Sequence, residues 1–454
     1  MNDQTRRWLL AMSLRFALPV MVISPTFQEI RAQTDSERLT LPRAVDLALK
    51  QNLDVQIADI EIATRQQERA IARSELLPHA SFEVDDSVNR HNLRALLGIE
   101  IPIASVPHNI GPYQAVHVGP AFSTPVFDLT LVRKYQASEH LLLASRADAQ
   151  TVREETVLLT VSEYLAHLRA RASITAAESR VELATRLARQ ADDLLRDGVA
   201  SRIDVSRSQV RLREEQQRQI DAERDADTTL YALKRIMNVA DSQQIDFGDV
   251  QNFFQTPPFD LLDPLATALL QRPELHSLAE SIKAAQSAHK SAVAESLPKF
   301  NFRGFWNEQG QTFNTADPGY QYEFDMRLPI FTGGRLSAER QRTALVTIRT
   351  QKELAQERNL ITEQVRDGQA ELQAALHQVE FGREEVQLAN EEVSLSQGRF
   401  QSGVTDNIEV TVAQDSLARA NDAEIEALFR YNIARAQLAR AIGSEQQTYT
   451  HPHP

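Results

Sequence analysis

The nine residues YQYEFDMRL, 320–328, alternate without a break. Successive side chains of a strand face opposite ways. Tyr320, Tyr322, Phe324, Met326 and Leu328 therefore share one face, and Gln321, Glu323, Asp325 and Arg327 the other. This is the pattern of a membrane β-strand, with Tyr320, Tyr322, Phe324 and Met326 toward lipid and Glu323, Asp325 and Arg327 toward a lumen. A half-buried sheet in a water-soluble protein alternates in the same way. Just upstream, FNFRGFWN at 300–307 reads as a partner strand. Further back, Ala80, Phe82 and Val84 alternate with Ser81, Glu83 and Asp85, and a fourth, weaker segment lies at 116–123.

These strands belong to a unit written twice. LALKQNLDV at 47–55 matches TALLQRPEL at 267–275, and Glu75-Leu76-Leu77-Pro78 matches Glu295-Ser296-Leu297-Pro298, both at an offset of 220. TPVF at 124–127 then matches LPIF at 328–331 at an offset of 204. GVASRIDV at 198–205 matches GVTDNIEV at 403–410 at 205. Four blocks in one order mark a duplication. The change of offset places an insert in the first copy, at 93–113. The domains expected are a signal peptide at 1–32, a first repeat at 33–250, a second at 251–445 and a disordered tail at 446–454.

Each repeat has the same grammar. A helix rich in good helix formers covers 42–76 or 262–296 and stops at Leu-Pro, where the proline ring forbids continuation. Two strand segments follow. A proline-free stretch then runs from Pro125 to Gly198, or from Pro329 to Gly403. As one helix each would be about 100 Å long, and such a helix needs lateral partners. Ala177, Val181, Ala184, Ala188, Ala191 and Leu195 form one seam. Leu372, Val379, Val386 and Val393 form another, with Ala375, Gly382, Ala389 and Ser396 three residues on. Apolar stripes wider than one seam point to neighbours on both sides, as in a cylinder wall; a two-stranded coil folded on itself is the alternative. Four strands cannot close a barrel. An open edge in lipid leaves backbone groups unpaired, at several kcal/mol each. If they span a membrane, several chains share one barrel: eight strands from two copies, twelve from three. The segments at 90–113 and 310–319 suit exposed loops.

Composition narrows the function. A chain of 454 residues with a net charge of −13 lacks the basic face of a nucleic-acid binder. With no cysteine it has no disulfide, thiol nucleophile or cysteine-held metal. Arg6 and Arg7 precede a mostly apolar run at 8–23, the pattern of an export signal cleaved near Ala32. Beyond it, no run approaches the roughly 20 apolar residues of a spanning helix. There is no Gly-rich phosphate loop and no His-Glu-x-x-His spacing. No catalytic residue, metal or cofactor is expected.

LTLPRAVDLALKQN near the start, LLP before the first strand, LPIFTGGR at 328–335 and the duplicated Gly-Val-x-x-x-Ile-acid-Val resemble the TolC-type outer-membrane efflux proteins, from Leu39 to about Gly443. The resemblance implies a mainly α fold with a small β part: a homotrimer whose twelve-stranded transmembrane β-barrel continues as a long periplasmic α-helical barrel. It implies an exit duct of a tripartite efflux or type I secretion system. The partners would be a periplasmic adaptor, an inner-membrane transporter and outer-membrane lipid. The alternative is a periplasmic structural coiled-coil or adaptor protein, although the lipoyl-like modules of adaptors are absent. The cargo stays open among drugs, metals, solvents and proteins.

In that family the two Gly-Val blocks are the turns at the periplasmic tip. The residues implied there are Gly198, Asp204, Phe400, Gly403, Asp406 and Glu409. Three Glu409 carboxylates would form an acidic ring; an acid complementing a helix N-terminus is the other reading, and the one preferred for Asp204. The chain departs from the family pattern at Val412, where a second acid is usual. It departs again at Phe400 and Thr405, which replace a tyrosine and an arginine that latch the tip. Closure by apolar packing of Phe400 is the expectation in their place.

Overall fold

The computed structural model describes residues 38–92, 109–198, 201–248, 263–310, 312, 314–402, 404 and 407–450. The expected signal peptide, residues 93–108 of the expected insert and residues 451–454 lie outside them.

One series of elements occurs twice. The first is α1 (Leu41–Gln51), α2 (Leu53–Ser74), β1 (His79–Asn92), β2 (Asn109–Phe127), α3 (Leu129–Arg196) and α4 (Arg202–Ile236). The second is α5 (Pro264–Gln271), α6 (Pro273–Ala294), β3 (Lys299–Gly310), β4 (Asp317–Arg327), α7 (Arg335–Gln401) and α8 (Asn407–Ile442). A short α9 (Glu445–Thr450) follows.

The opening helix of each repeat, expected in one piece, is broken in two. Asn52 is extended, with φ −60° and ψ 134°. Its Oδ1 accepts the Asp54 and Val55 amides at 2.8 and 3.3 Å, and its Nδ2 donates to the Ile236 carbonyl at 3.0 Å. One side chain thus starts α2 and ties it to the end of α4. In the second repeat Pro273 pushes Arg272 out of the helical region, to ψ 121°. Both second pieces stop just before Leu-Pro, as expected.

The long helices span 68 and 67 residues, each about 100 Å. Asp128 caps α3 by accepting the Thr130 amide at 2.8 Å. Gly333 and Gly334, at φ +59° and +85°, turn the chain into α7 through a backbone region that side chains disfavour. The heptads carry the packing. Leu372, Ala375, Val379, Gly382, Ala389, Val393 and Ser396 are buried, as are Ala177, Ala184 and Ala191. At Gly382 a Cβ would lie 3.3 Å from Glu424 Cα, so glycine is what lets α7 and α8 come this close. Helix α3 touches α1, α2, α4, α6, α8 and α9, and α6 touches both α3 and α7. Six neighbours rule out the two-stranded coil.

The strands form one antiparallel sheet in the order β1-β2-β3-β4. β2 far exceeds the expected 116–123, although Pro112, Pro120 and Pro125 lie in it. The segments expected as loops shrink accordingly: residues 90–92, 109–113 and 317–319 are strand. The tail is also corrected. Residues 445–450 are helical, and Tyr449 packs with Val45, Val157, Val161 and Leu165, apolar contacts that a disordered tail lacks. A second cluster joins Leu39, Tyr164, Leu168, Leu233, Ile236 and Phe247, closing the end of the first repeat onto α1 and α3.

Candidate functional site

The period of two makes the sheet two-faced. Tyr320, Tyr322, Phe324 and Met326 share a face with Phe82, Val84, Phe122, Phe302 and Trp306, as the strand pairing requires. The rings meet across strands: Phe122 and Phe302 at 5.6 Å, Phe302 and Tyr322 at 6.3 Å, Phe300 and Phe324 at 5.8 Å between centroids. Gly304 makes this possible, since a Cβ there would lie 2.7 Å from both the Phe122 and the Tyr322 ring. Tyr320, Tyr322, Phe324, Met326, Phe82, Val84 and Trp306 are all exposed. A contiguous bare apolar face marks a membrane or partner surface.

The other face is polar. Arg303 Nη2 donates to Asp325 at 2.9 Å, and the Arg303 guanidinium sits 3.9 Å from Glu323. Arg327, Asn301, Glu83 and Asp85 share this side. The structure therefore brings Glu323 and Asp325 together around Arg303, and sets Tyr320, Tyr322, Phe324 and Met326 behind them. Among the described residues no helix is long and apolar enough to cross a membrane.

At the turn between α3 and α4, Gly198 has φ +74° and its amide reaches the Leu195 carbonyl at 3.1 Å. Asp204 lies in the first turn of α4. The Ser201 hydroxyl and amide donate to it at 2.6 and 3.0 Å and hold its carboxyl below the usual carboxylate range. Its bonds are those of a helix-starting acid. At the turn between α7 and α8, Gly403 and Asp406 lie outside the described residues, and Phe400 falls in the last turn of α7. Glu409, in the first turn of α8, faces Arg399 at 3.5 Å. Its charge is thus opposed within its own chain.

Sequence reasoning missed the groups that join the two hairpins near these turns. Glu215 of α4 is buried among Arg211 at 2.9 Å, Arg218 at 2.8 Å and Arg180 of α3 at 3.5 Å. Arg211 also bonds Asp415 of α8, and Arg180 bonds Asp422 of α8 at 2.8 Å. Each pair reads alone as helix-surface charge, and no spacing links residues some two hundred apart. Glu445 was missed as well. It is fully buried, with neither carboxylate oxygen hydrogen-bonded. Burial, reinforced by Glu154 and offset in part by Arg440, pushes its carboxyl up to about 9.

Comparison with known proteins agrees with this geometry. The profile of the outer membrane efflux protein family matches residues 44–239 and 265–444. The alkaline protease secretion protein AprF of Pseudomonas aeruginosa is 22% identical over 424 residues, covering 89% of this chain and 84% of its own. The pyoverdine export outer membrane protein OpmQ of the same organism is 27% identical over 188 residues, 40% of this chain and 38% of its own. The Campylobacter jejuni CmeC outer membrane channel superposes with a TM-score of 0.76 at 19% identity, covering 89% of this chain and 86% of that one. Since the family profile takes in most of both repeats, the chain belongs to the outer membrane efflux protein family.

Proposed function

We propose that three copies of this chain build one passive channel. Their four-stranded sheets join into a twelve-stranded barrel in the outer membrane. Tyr320, Tyr322, Phe324 and Met326 face lipid, and Glu323, Asp325 and Arg327 line the lumen. The hairpins α3–α4 and α7–α8 continue as a helical barrel through the periplasm. Substrate delivered by an inner-membrane transporter, through a periplasmic adaptor, leaves by this duct. Residues 1–32 are the leader removed on export, and 33–250 and 251–445 are the two repeats.

One observation supports this above the rest. The sheet is apolar on one side and polar on the other, both sides are bare, and β1 and β4 are both edge strands. Lipid tolerates the apolar face but no open edge. Closure by other copies meets both conditions, and twelve strands leave a passage where eight would be filled by side chains. The helices agree: α7 leaves Leu345, Ile348, Phe381, Leu388 and Leu395 exposed, while α2 and α4 leave Ile57, Ile60, Ile203 and Val210 exposed.

The aperture is formed around Gly198, Phe400, Gly403, Asp406 and Glu409. The Arg399 pairing weakens the case for a cation-selective ring at Glu409, so apolar closure by Phe400 is the favoured gate. The test is native mass spectrometry of detergent-purified protein, followed by planar-bilayer recording. A threefold particle with low resting conductance is expected. A water-soluble monomer released by carbonate washing overturns the reading.

A further inference from the structure

The duplication supplies a ruler for the contact between copies, and its use rests on the trimeric reading of the channel. Within one chain, β2 of the first repeat pairs with β3 of the second. The counterpart of β2 is β4 and that of β3 is β1, and these are the two strands left at the edges. Local side chains register the difference. Phe127 lies 6.3 Å from the Phe300 ring and is 49% exposed. Its counterpart Phe331 is 89% exposed, and Ile330 beside it 94%. The same sequence feature is half covered where the next strand is present and bare where it is not.

We propose that β4 of one copy pairs antiparallel with β1 of the next in the register that β2 and β3 use within the chain. Adding 204 to each β2 residue and subtracting 220 from each β3 residue gives the contacts. Ser123 opposite Arg303 becomes Arg327 opposite Glu83 of the next copy. Phe122 opposite Gly304 becomes Met326 opposite Val84, and Thr124 opposite Phe302 becomes Leu328 opposite Phe82. Val118 opposite Glu308 becomes Tyr322 opposite Val88, and Phe127 opposite Phe300 becomes Phe331 over Ala80.

Two features that did not enter the transposition agree with it, and the same offsets extend it to the helices. Tyr322, Met326 and Leu328 meet Val88, Val84 and Phe82, whereas a slip of one residue would set each against a polar side chain. Arg327 meets an acid, a favourable cross-strand pair. In the helices, the Ser291 hydroxyl of α6 donates to the Thr130 carbonyl of α3 at 3.1 Å; the counterparts are Ile71 and Gly334, which brings exposed Ile71 of α2 onto the start of α7. Two pairs are adverse, since Phe324 faces Asp86 and Asp325 faces Asp85. Each is eased within its own chain: Gln114 donates to Asp86 at 2.8 Å, and Arg303 bonds Asp325.

The absence of native cysteine makes the test clean. Directly opposite residues lie about 4.5–5.5 Å apart between Cα atoms, within the span of a disulfide. Those two out of register lie about 7–8 Å apart. In trimers carrying Arg327→Cys with Glu83→Cys, mild oxidation should shift the monomer band to a covalent trimer; neither single variant should shift. Arg327→Cys with Ser81→Cys or Asp85→Cys should give at most a trace. Preferential linking at 81 or 85, or none at any of the three in an intact trimer, overturns the register and leaves the trimer standing. A monomer in native mass spectrometry overturns both. If the cysteine variants do not assemble, Arg327→Glu should lower the trimer fraction and added Glu83→Arg should restore it; failure of that rescue also overturns the register.

Discussion

The two repeats run through the same elements but do not have the same surroundings. Helix α3 has α1, α2, α4, α6, α8 and α9 around it, whereas its counterpart α7 has α5, α6 and α8. β2 is paired on both sides and β4 on one. Phe127 rests on Phe300, while Phe331 is bare. The α3 and β2 side of the first repeat faces the second repeat, whereas the α7 and β4 side of the second is open. An element shaped to sit between two neighbours and supplied with one fits the ring of copies proposed above. The turns differ too. Asp204 is bonded by Ser201 and serves its own helix start, while Glu409 is matched by Arg399 across the turn.

The largest effect that would break this contrast is expected inside the sheet. Gly304→Leu would drive a side chain into the Phe122 and Tyr322 rings, whose atoms stand 2.7 Å from the Cβ position. Loss of the proposed trimer is the expected outcome in native mass spectrometry. Next come the seams. Leu372 is buried between α7 and α8, so Leu372→Ala should cost about 2–5 kcal/mol. Leu395→Ala, at an exposed site of the same helix, should leave a chain kept monomeric almost unaffected and lower the melting temperature of the proposed trimer. Equal shifts in both states would remove the asymmetry between the repeats.

The joint between hairpins comes third. Arg211→Ala removes one of three cations around buried Glu215 and the bond to Asp415. A cost of about 1–3 kcal/mol is expected, together with a raised resting conductance; a closed, quiet channel would show that the joint does not restrain the hairpins. Fourth is pH. The folded Glu445 carboxyl is raised from 4.5 to about 9. Its contribution is therefore complete below pH 4.5 and is lost as pH rises toward 9, on the order of 1 kcal/mol per pH unit. Glu445→Gln should flatten that slope and stabilise the protein at pH 8, as read by thermal melts at pH 6 and 8. Smallest is Gly398→Ala in α7, where a Cβ meets no atom within 4 Å. A gain of about 0.5–1 kcal/mol is expected; a loss would reveal a neighbouring copy pressed against that turn.

Much of the fold was legible because it is local. Alternation at 320–328 needs only the pleat of a strand, and the spacing of Leu372, Val379 and Val393 needs only the pitch of a helix. The break at Asn52 was not legible. An Asn within a helical pattern is unremarkable until its amide finds the Ile236 carbonyl, brought there by the return of α4. The site was legible as faces rather than as bonds. That Glu323 and Asp325 share a side follows from counting by two; that Arg303 holds Asp325 depends on the register of β3 against β4.

By itself the sequence determined the periods, the duplication and the absence of cysteine chemistry, because each is a property of the order of residues along the chain. Only the tertiary structure decided which faces are covered, which charges meet, and that Glu445 is shut away from water. Those depend on distances between residues far apart in the chain. Coulomb and packing energies fall off over a few ångströms of space, whatever the separation in sequence.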